Sequence, residues 1–381
     1  MIKNRLNSYY INNKKFTFLY LGLLLLSVIV LIFVNYNHKF YTEIIAKVDS
    51  VVEEKSYDKE DITGKKEIIY EQKINAIIMN GQYKNNQIKL ENTASYSGAY
   101  DIRYKKGDEI FVSVSSTKDS EGYYSGEIEG VKRDKYVISI SLVFILLIIL
   151  VGKLKGLLSL FSVIINILIF SFTIDLYLRG VNLILASSIA CILFIILSLS
   201  LVSGINRKTF SAIVGTIIGT IISILIALIV IKITNGQGIR YEEMQFLTKP
   251  PGEIFIAQIL VGSLGAIMDI CITMASSIYE LYNKDPKISK KKLIESGIEI
   301  GKDITGTMIN VLFFVYVSGS IPMILLWLKN GMLFDYVINV NLSLEMIRAL
   351  TGSIGIVISI PISIYVTVFF INKDKIRRNR L

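Results

Sequence analysis

Eight stretches of this 381-residue chain are too long and too apolar to be loops or half-buried elements of a soluble domain. They are residues 16–34, 136–151, 156–178, 181–202, 210–233, 254–281, 305–328 and 346–371. A membrane-crossing helix needs roughly 20 mostly apolar residues. Seven of the runs reach that scale, and local thinning of the bilayer can accommodate the shorter second run. The fold class that follows is an α-helical polytopic membrane protein with about eight transmembrane helices. Between the first and second runs lie about 100 residues of different character, in which short alternating segments replace continuous hydrophobicity.

A net charge of +10 invites a nucleic-acid reading until it is located. Residues 40–135 carry 15 Lys and Arg against 18 Asp and Glu, a net of −3, so the rest of the chain carries +13. With the N-terminus inside, 19 basic residues fall on the cytoplasmic side, from Lys3 and Arg5 through Arg207, Lys208 and the Lys284–Lys302 segment to the Lys373–Arg380 tail. Six lie in or beside the short outer loops: Arg179, Lys232, Arg240, Lys249, Lys329 and Arg348. The positive-inside rule therefore places both termini in the cytoplasm and residues 36–135 outside. The basic excess reads as a topology signal, and no nucleic-acid partner is expected. The domain reading is a cytoplasmic leader with a signal-anchor helix (1–35), an extracytoplasmic β domain (36–135), a seven-helix core (136–372) and a basic tail (373–381).

In the outer domain the segments EIIAKVDSVVEE, EIIYEQKINAIIM, NQIKLENT and EIFVSVSS are separated by the turn signals NGQYKNN, SYSGAY and YKKGDE. Four to six such strands suggest a small antiparallel barrel of the SH3-like or OB-like kind. Tyr96, Tyr100 and Tyr104 recur four apart in a turn-rich region and read as loop packing. His38, the only histidine, reads as a solvated interfacial residue. Cys191 and Cys271 fall inside apolar runs and read as small packing residues. No metal or cofactor is expected, because no His and Cys cluster of ligand spacing exists. P-loop, GxSxG and dinucleotide fingerprints are absent as well, so no enzyme activity is expected.

The sixth run contains GSLGAIMDICITMASSIYE, with Asp269 near its middle. At about 100° per residue, Gly262, Gly265, Asp269, Thr273, Ser276 and Glu280 share one sector of roughly 80°. Aspartate at a bilayer centre costs roughly 2.5–3.5 kcal/mol on insertion scales, so this face should meet protein or water. A second polar face follows on residues 295–311, where Glu299, Asp303, Gly306 and Asn310 line up with Thr307 beside them. The expectation is a polar inner cavity between the sixth and seventh runs, with Asp269, Thr273, Asp303, Asn310, Glu280 and Glu299 as candidates for a substrate or ion pathway. The alternative is that Asp269 hydrogen-bonds Asn310 or a threonine and only fixes helix register. Ser211, Gly215, Gly219 and Ser223 at intervals of four read as helix packing, as do Gly262, Gly265, Gly301 and Gly306. Pro322 and Pro361 interrupt the last two runs, and Asp175 is placed to pair with Arg179 at i, i+4.

The acidic glycine-rich run followed by ESGIEIGKDITGTMINVLFFVYVSGSIPMIL, with GINRKTFSAIVGTIIG upstream, resembles the YibE/F family of bacterial multi-pass membrane proteins. The resemblance extends over nearly the whole chain, including NGQYKNNQIKLEN and YKKGDEIFV. It implies one N-terminal span, an extracytoplasmic β domain and a seven-span core in a bacterial plasma membrane, and it implies no activity. Gly265, Asp269, Ser277, Glu280, Gly297, Gly301, Asp303, Gly306, Thr307 and Met308 occupy the family's motif positions. Lys292 departs from the pattern, standing where a helix-capping acid often follows Ser289.

Two functional expectations follow. The first is a transporter or channel-like protein whose partners are the lipid bilayer and a small solute, ion or proton. The second is a non-transporting scaffold or sensor whose outer β domain binds an envelope component or membrane protein.

Overall fold

The computed structural model describes residues 21–60, 66–96, 98, 101–120, 122–241, 244 and 250–378. The chain divides after Lys153 into two compact units, described in turn.

The first unit holds helix α1 (Leu21–Asn35), five strands and the start of α2 (Asp134–Leu178). The strands are β1 (Ile45–Glu60), β2 (Lys66–Ile78), β3 (Gln87–Ser95), β4 (Glu109–Lys118) and β5 (Tyr124–Val131). They close into a barrel in the order β1-β2-β3-β5-β4. All pairs are antiparallel except β3 with β5. This is a five-stranded Greek-key barrel, the OB-like alternative. Period-two alternation explains it: Ala46 and Val48, Ile74, Ala76 and Ile78, Ile88 and Leu90, and Ile110 and Val112 point inward and bury one core. Tyr104 joins that core, while Tyr96 is exposed; Tyr100 lies outside the described residues. The Gln72 side chain accepts from Tyr104 N and donates to Tyr104 O, so the loop is held like a strand. At Gly126 a Cβ would strike the Ser113 carbonyl, which is why only glycine fits where β5 leaves β3 for β4.

His38 departs from expectation. It is 7% exposed, and its Nε2 lies 3.2 Å from Glu109 Oε1. Beside it Lys132, 1% exposed at the side chain, contacts Glu109 at 2.8 Å and Asp134 at 3.0 Å and donates to Val34 O. Asn37 and Tyr41 donate to the second oxygen of Asp134. The sequence signal concealed this because the partners come from three separated segments. Burial would raise the Glu109 pKa, but the bonds and charges of Lys132 and His38 outweigh it and hold the carboxyl below its ordinary range. Burial likewise opposes the charged Lys132, and Glu109 with Asp134 raises its pKa nonetheless.

The second unit contains the rest of α2, then α3 (Leu183–Ser203), α4 (Arg207–Ile233), α5 (Pro251–Lys284), α6 (Lys290–Lys329), α7 (Phe334–Asn341) and α8 (Ser343–Arg378). Among the described residues six helices are long and apolar enough to cross a membrane: α2 to α6 and α8. The expected count of eight is not reproduced. The second and third apolar runs form one helical element broken at Lys153, whose φ of 50° and ψ of −128° are not helical. The described part of the first run, Leu21–Asn35, is a shorter apolar helix. The short α7 gave no hydropathy signal of its own. Asn182, Asn206 and Ser289 cap α3, α4 and α6 by accepting backbone N–H groups. Ser289 does so from Lys292, so the missing capping acid is dispensable. Pro322 and Pro361 lie inside α6 and α8 without ending them, and Arg179 pairs with Asp175 at 2.8 Å.

Candidate intramembrane site

The site is framed by a seam of small residues. On α4, Ser211, Gly215, Gly219 and Ser223 are all buried. A Cβ on Gly215 would touch Cys271 Sγ and Ser363, and one on Gly219 would overlap Ser359 Oγ. Ser223 donates to Thr351 O on α8, and Ser363 donates to Cys271 O on α5. Lipid supplies no hydrophobic drive for helix association, so close approach and short hydrogen bonds hold such a seam. Gly215 and Gly219 pack as expected, and both free cysteines are buried packing residues. On α6, Gly301 faces Ile360 of α8 and Gly297 faces Ile364.

These contacts fix where the polar faces point. A two-residue step along a helix is roughly 200°, slightly over half a turn. Ile267 lies against Gly355 of α8 and Cys271 against Ser363, so Asp269, two residues from each, points away from α8. On α6, Gly301 and Leu312 lie against α8, and Asp303 and Asn310 are two residues from them. Asp269, Glu280, Glu299, Asp303, Thr307 and Asn310 are accordingly exposed on the protein surface, with Thr273 and Ser276 half-buried. The residues expected to line a polar inner cavity between the sixth and seventh runs, opening towards the basic segment, thus lie exposed, or for Thr273 half-buried, on α5 and α6. The physical reason is α8. It packs against α4, α5 and α6 together and takes the apolar faces of both α5 and α6, leaving their polar faces outward. Gly265 and Gly306 were expected as packing residues, but a Cβ added at either would meet nothing within 4 Å, and both belong to this open face. Among the described residues no hydrogen bond joins Asp269 to Asn310 or to a threonine, so the register-fixing reading is unsupported.

Depth follows from the same contacts. Lys208 and Lys232 bracket the apolar run of α4, whose middle is Thr220. Gly215 and Gly219 lie beside Cys271 and Ile267, so Asp269 sits within about one turn of the middle. On α6, a Cβ on Gly297 would reach Ile278 at 3.4 Å, and Gly262 faces Tyr316. Counting antiparallel from either contact puts Asp269 level with residues 306–309, beside Asn310, and Glu280 near Glu299. A polar strip thus runs from mid-helix to the end of the pair that carries Glu280 and Glu299. Such a surface borders water or polar protein, because an ionised aspartate facing lipid costs roughly 2.5–3.5 kcal/mol.

At the other end of the same α5 face, Gln258 and Gly262 line a cavity of about 440 Å³. Its walls are mostly apolar, from Phe170 and Ile174 of α2, Leu183 of α3 and Ile254 and Val261 of α5. Ser187, Tyr316 and Arg348 add polar groups. Arg348 Nη1 lies 2.9 Å from Glu345 Oε1, the two side chains being 15% and 13% exposed. Gly262 does pack, but against the Tyr316 ring at the boundary between cavity and strip. Sequence reading missed Gln258, Tyr316, Glu345 and Arg348. The available signal was Glu345-x-x-Arg348 at one helical turn, and Arg348 was legible only as an outer-loop charge. Among the described residues no group of three His, Cys, Asp or Glu side chains is arranged to hold a metal ion.

Comparison with known families supplies two matches. The family described as YibE/F-like protein matches residues 140–373, and that described as YibE/F family N-terminal domain matches residues 39–131. No curated protein and no solved structure matches the chain.

Proposed function

The chain belongs to the YibE/F-like family, and from that premise we propose that it is a transporter or channel-like protein that moves a small solute, ion or proton across the bacterial plasma membrane. The observation that supports this reading is the pair of acid-bearing faces on α5 and α6, at matching depth and both turned from α8. Asp269 is the central group of the pathway, with Thr273, Asn310 and Asp303 following and Glu280 and Glu299 at the inner mouth. No covalent chemistry is assigned to the chain. The proposed topology keeps eight spans, α1 and the two halves of α2 each crossing, with both termini cytoplasmic and the barrel outside. In reconstituted vesicles Asp269→Asn abolishes flux while the purified protein keeps its melting midpoint; unchanged flux refutes the role of Asp269.

One observation favours the second reading, a sensor or scaffold whose barrel binds an envelope component or membrane protein. β3 pairs with β5 over only Ile88–Leu90, and beyond them a cavity of about 650 Å³ opens between Glu91, Asn92, Thr93 and Glu127. In that case removing residues 40–135 eliminates function and Asp269→Asn is silent.

A further inference from the structure

The seam that closes the barrel is short, and beyond it two strands still turn backbone polar groups towards each other. β3 and β5 run parallel and pair only over Ile88–Leu90 with Tyr124–Gly126. In an antiparallel ladder, opposed residues alternate between pairs that exchange hydrogen bonds and pairs whose N–H and C=O groups point away from each other. The register of β3 on β2 is unbroken, and just beyond its two ends Ile78 N donates to Asn86 O and Tyr96 N to Ile68 O. The β3 residues bonded to β2 are therefore the even-numbered ones, and Thr93, opposite Glu71, turns its N–H and C=O to the β5 side. On β5, Ile128 lies opposite Val112, whose N–H goes to Ile44 O and so away from β5. Ile128 accordingly turns its own backbone groups to the β3 side. Thr93 and Ile128 both line the cavity of about 650 Å³ between the strands. Its rim is acidic. Lys89 answers Asp119 at 3.4 Å and lies over the Tyr123 ring at 4.2 Å, whereas exposed Glu91 and Glu127 have no ion pair to any described residue.

We infer that this gap is a docking site for an extended basic segment of a partner protein, which adds a strand between β3 and β5. Its backbone takes the N–H and C=O groups of Thr93 and Ile128, the usual source of affinity when a peptide joins a sheet edge. Alternation sends every second side chain outward, where basic groups meet Glu91 and Glu127. The other side chains lie towards Ile128, which packs on the barrel core, and are small and apolar. Charge selects the occupant, since opposite charges on adjacent strands stabilise the pairing and like charges oppose it. Residues 40–135 carry a net charge of −3, and a strand from a second copy of the barrel would set acid against acid. This names the partner class for the scaffold reading, on which it rests only for the statement that docking is the barrel's task.

The test uses the purified full-length protein in detergent and three labelled short peptides, read by fluorescence anisotropy. One alternates valine and lysine, one alternates valine and glutamate, and the third is the lysine peptide N-methylated at alternate residues, which cannot complete a strand ladder. The plain lysine peptide binds saturably and at least about tenfold more tightly than either of the others. Glu91→Lys with Glu127→Lys, both at exposed positions, reverses the preference between lysine and glutamate. Thr93→Pro removes an N–H from the gap and none from the β2 ladder, a position at which an edge strand tolerates proline. It melts like the parent protein and binds the lysine peptide at least about tenfold more weakly; should it unfold instead, the three peptides on the parent protein still decide. Equal binding of the N-methylated peptide overturns the inference and leaves an acidic patch that attracts cations. Absence of saturable binding overturns it as well, as does a charge-reversed variant that keeps the parent's preference. No peptide binding, with function lost on removing residues 40–135, refutes this inference alone. Peptide binding, with function intact after that removal, refutes the scaffold reading alone.

Discussion

The base of the barrel and the outward face of α5 and α6 treat charge in opposite ways. In the barrel, Lys132, Glu109 and Asp134 are drawn together, each charge answered by a neighbour within about 3 Å, and buried His38 lies against Glu109. On α5 and α6, Asp269 and Asp303 stand open, with no ion pair to any described residue and with apolar residues filling the opposite side of each helix. The first arrangement fixes geometry; the second leaves charge available to something outside the chain. Breaking a buried, paired cluster costs folding energy, whereas neutralising an open acid costs function, so the two regions should respond differently to the same kind of substitution.

The largest effect belongs to Lys132→Met. Removing that cation leaves Glu109 buried and Asp134 half-buried without it, and about 3–5 kcal/mol of stability should be lost. Denaturant unfolding of the whole protein measures it, and a loss below about 1 kcal/mol would remove the contrast between the regions. Next comes the closed seam. Gly219→Val must displace Ser359 and crowd Ile267, at about 1–3 kcal/mol, while Gly265→Val on the open face should change stability far less. Comparing the two melting curves isolates packing from charge.

A smaller effect is expected from pH. The Glu109 carboxyl titrates below its unfolded value, so its contribution is present above about pH 4.3 and is lost as pH falls through the lower folded value. The Glu109→Gln variant should show a flatter acid limb in its melting midpoint. Lys132 works in the other direction, its share present below about pH 10.4 and lost only as pH rises through a higher folded value. The smallest expected effect is the stability change in Asp269→Asn. A clear destabilisation there would mean that the strip is structural after all.

Much of this was legible from local pattern. Apolar run length gave the helices, period-two alternation gave four of the five strands, and the spacing of Gly262, Asp269, Thr273 and Glu280 placed them on one face. The four-residue spacing of Ser211, Gly215, Gly219 and Ser223 announced a packing seam, and it is one. β5 was harder to read, since YSGEIEGV has two glycines and little hydrophobicity. His38 was misread because its environment comes from β4 and from the segment before α2, about 70 to 95 residues away in the chain.

By itself the sequence determined which side of each helix is polar, because helical periodicity is a local property of spacing. It could not determine what stands opposite that side. That was settled by α8, whose small and branched residues at Gly352, Gly355, Ile360 and Ile364 pack on α4, α5 and α6 together and so turn the Asp269 and Asp303 faces outward. Likewise, Glu345 and Arg348 were visible as two charges one turn apart. Only the convergence of α2, α3, α5 and α6 beside Arg348 made a cavity with a guanidinium in its wall. Periodicity acts within a helix, and a site is a relation between helices that depends on which apolar faces find one another.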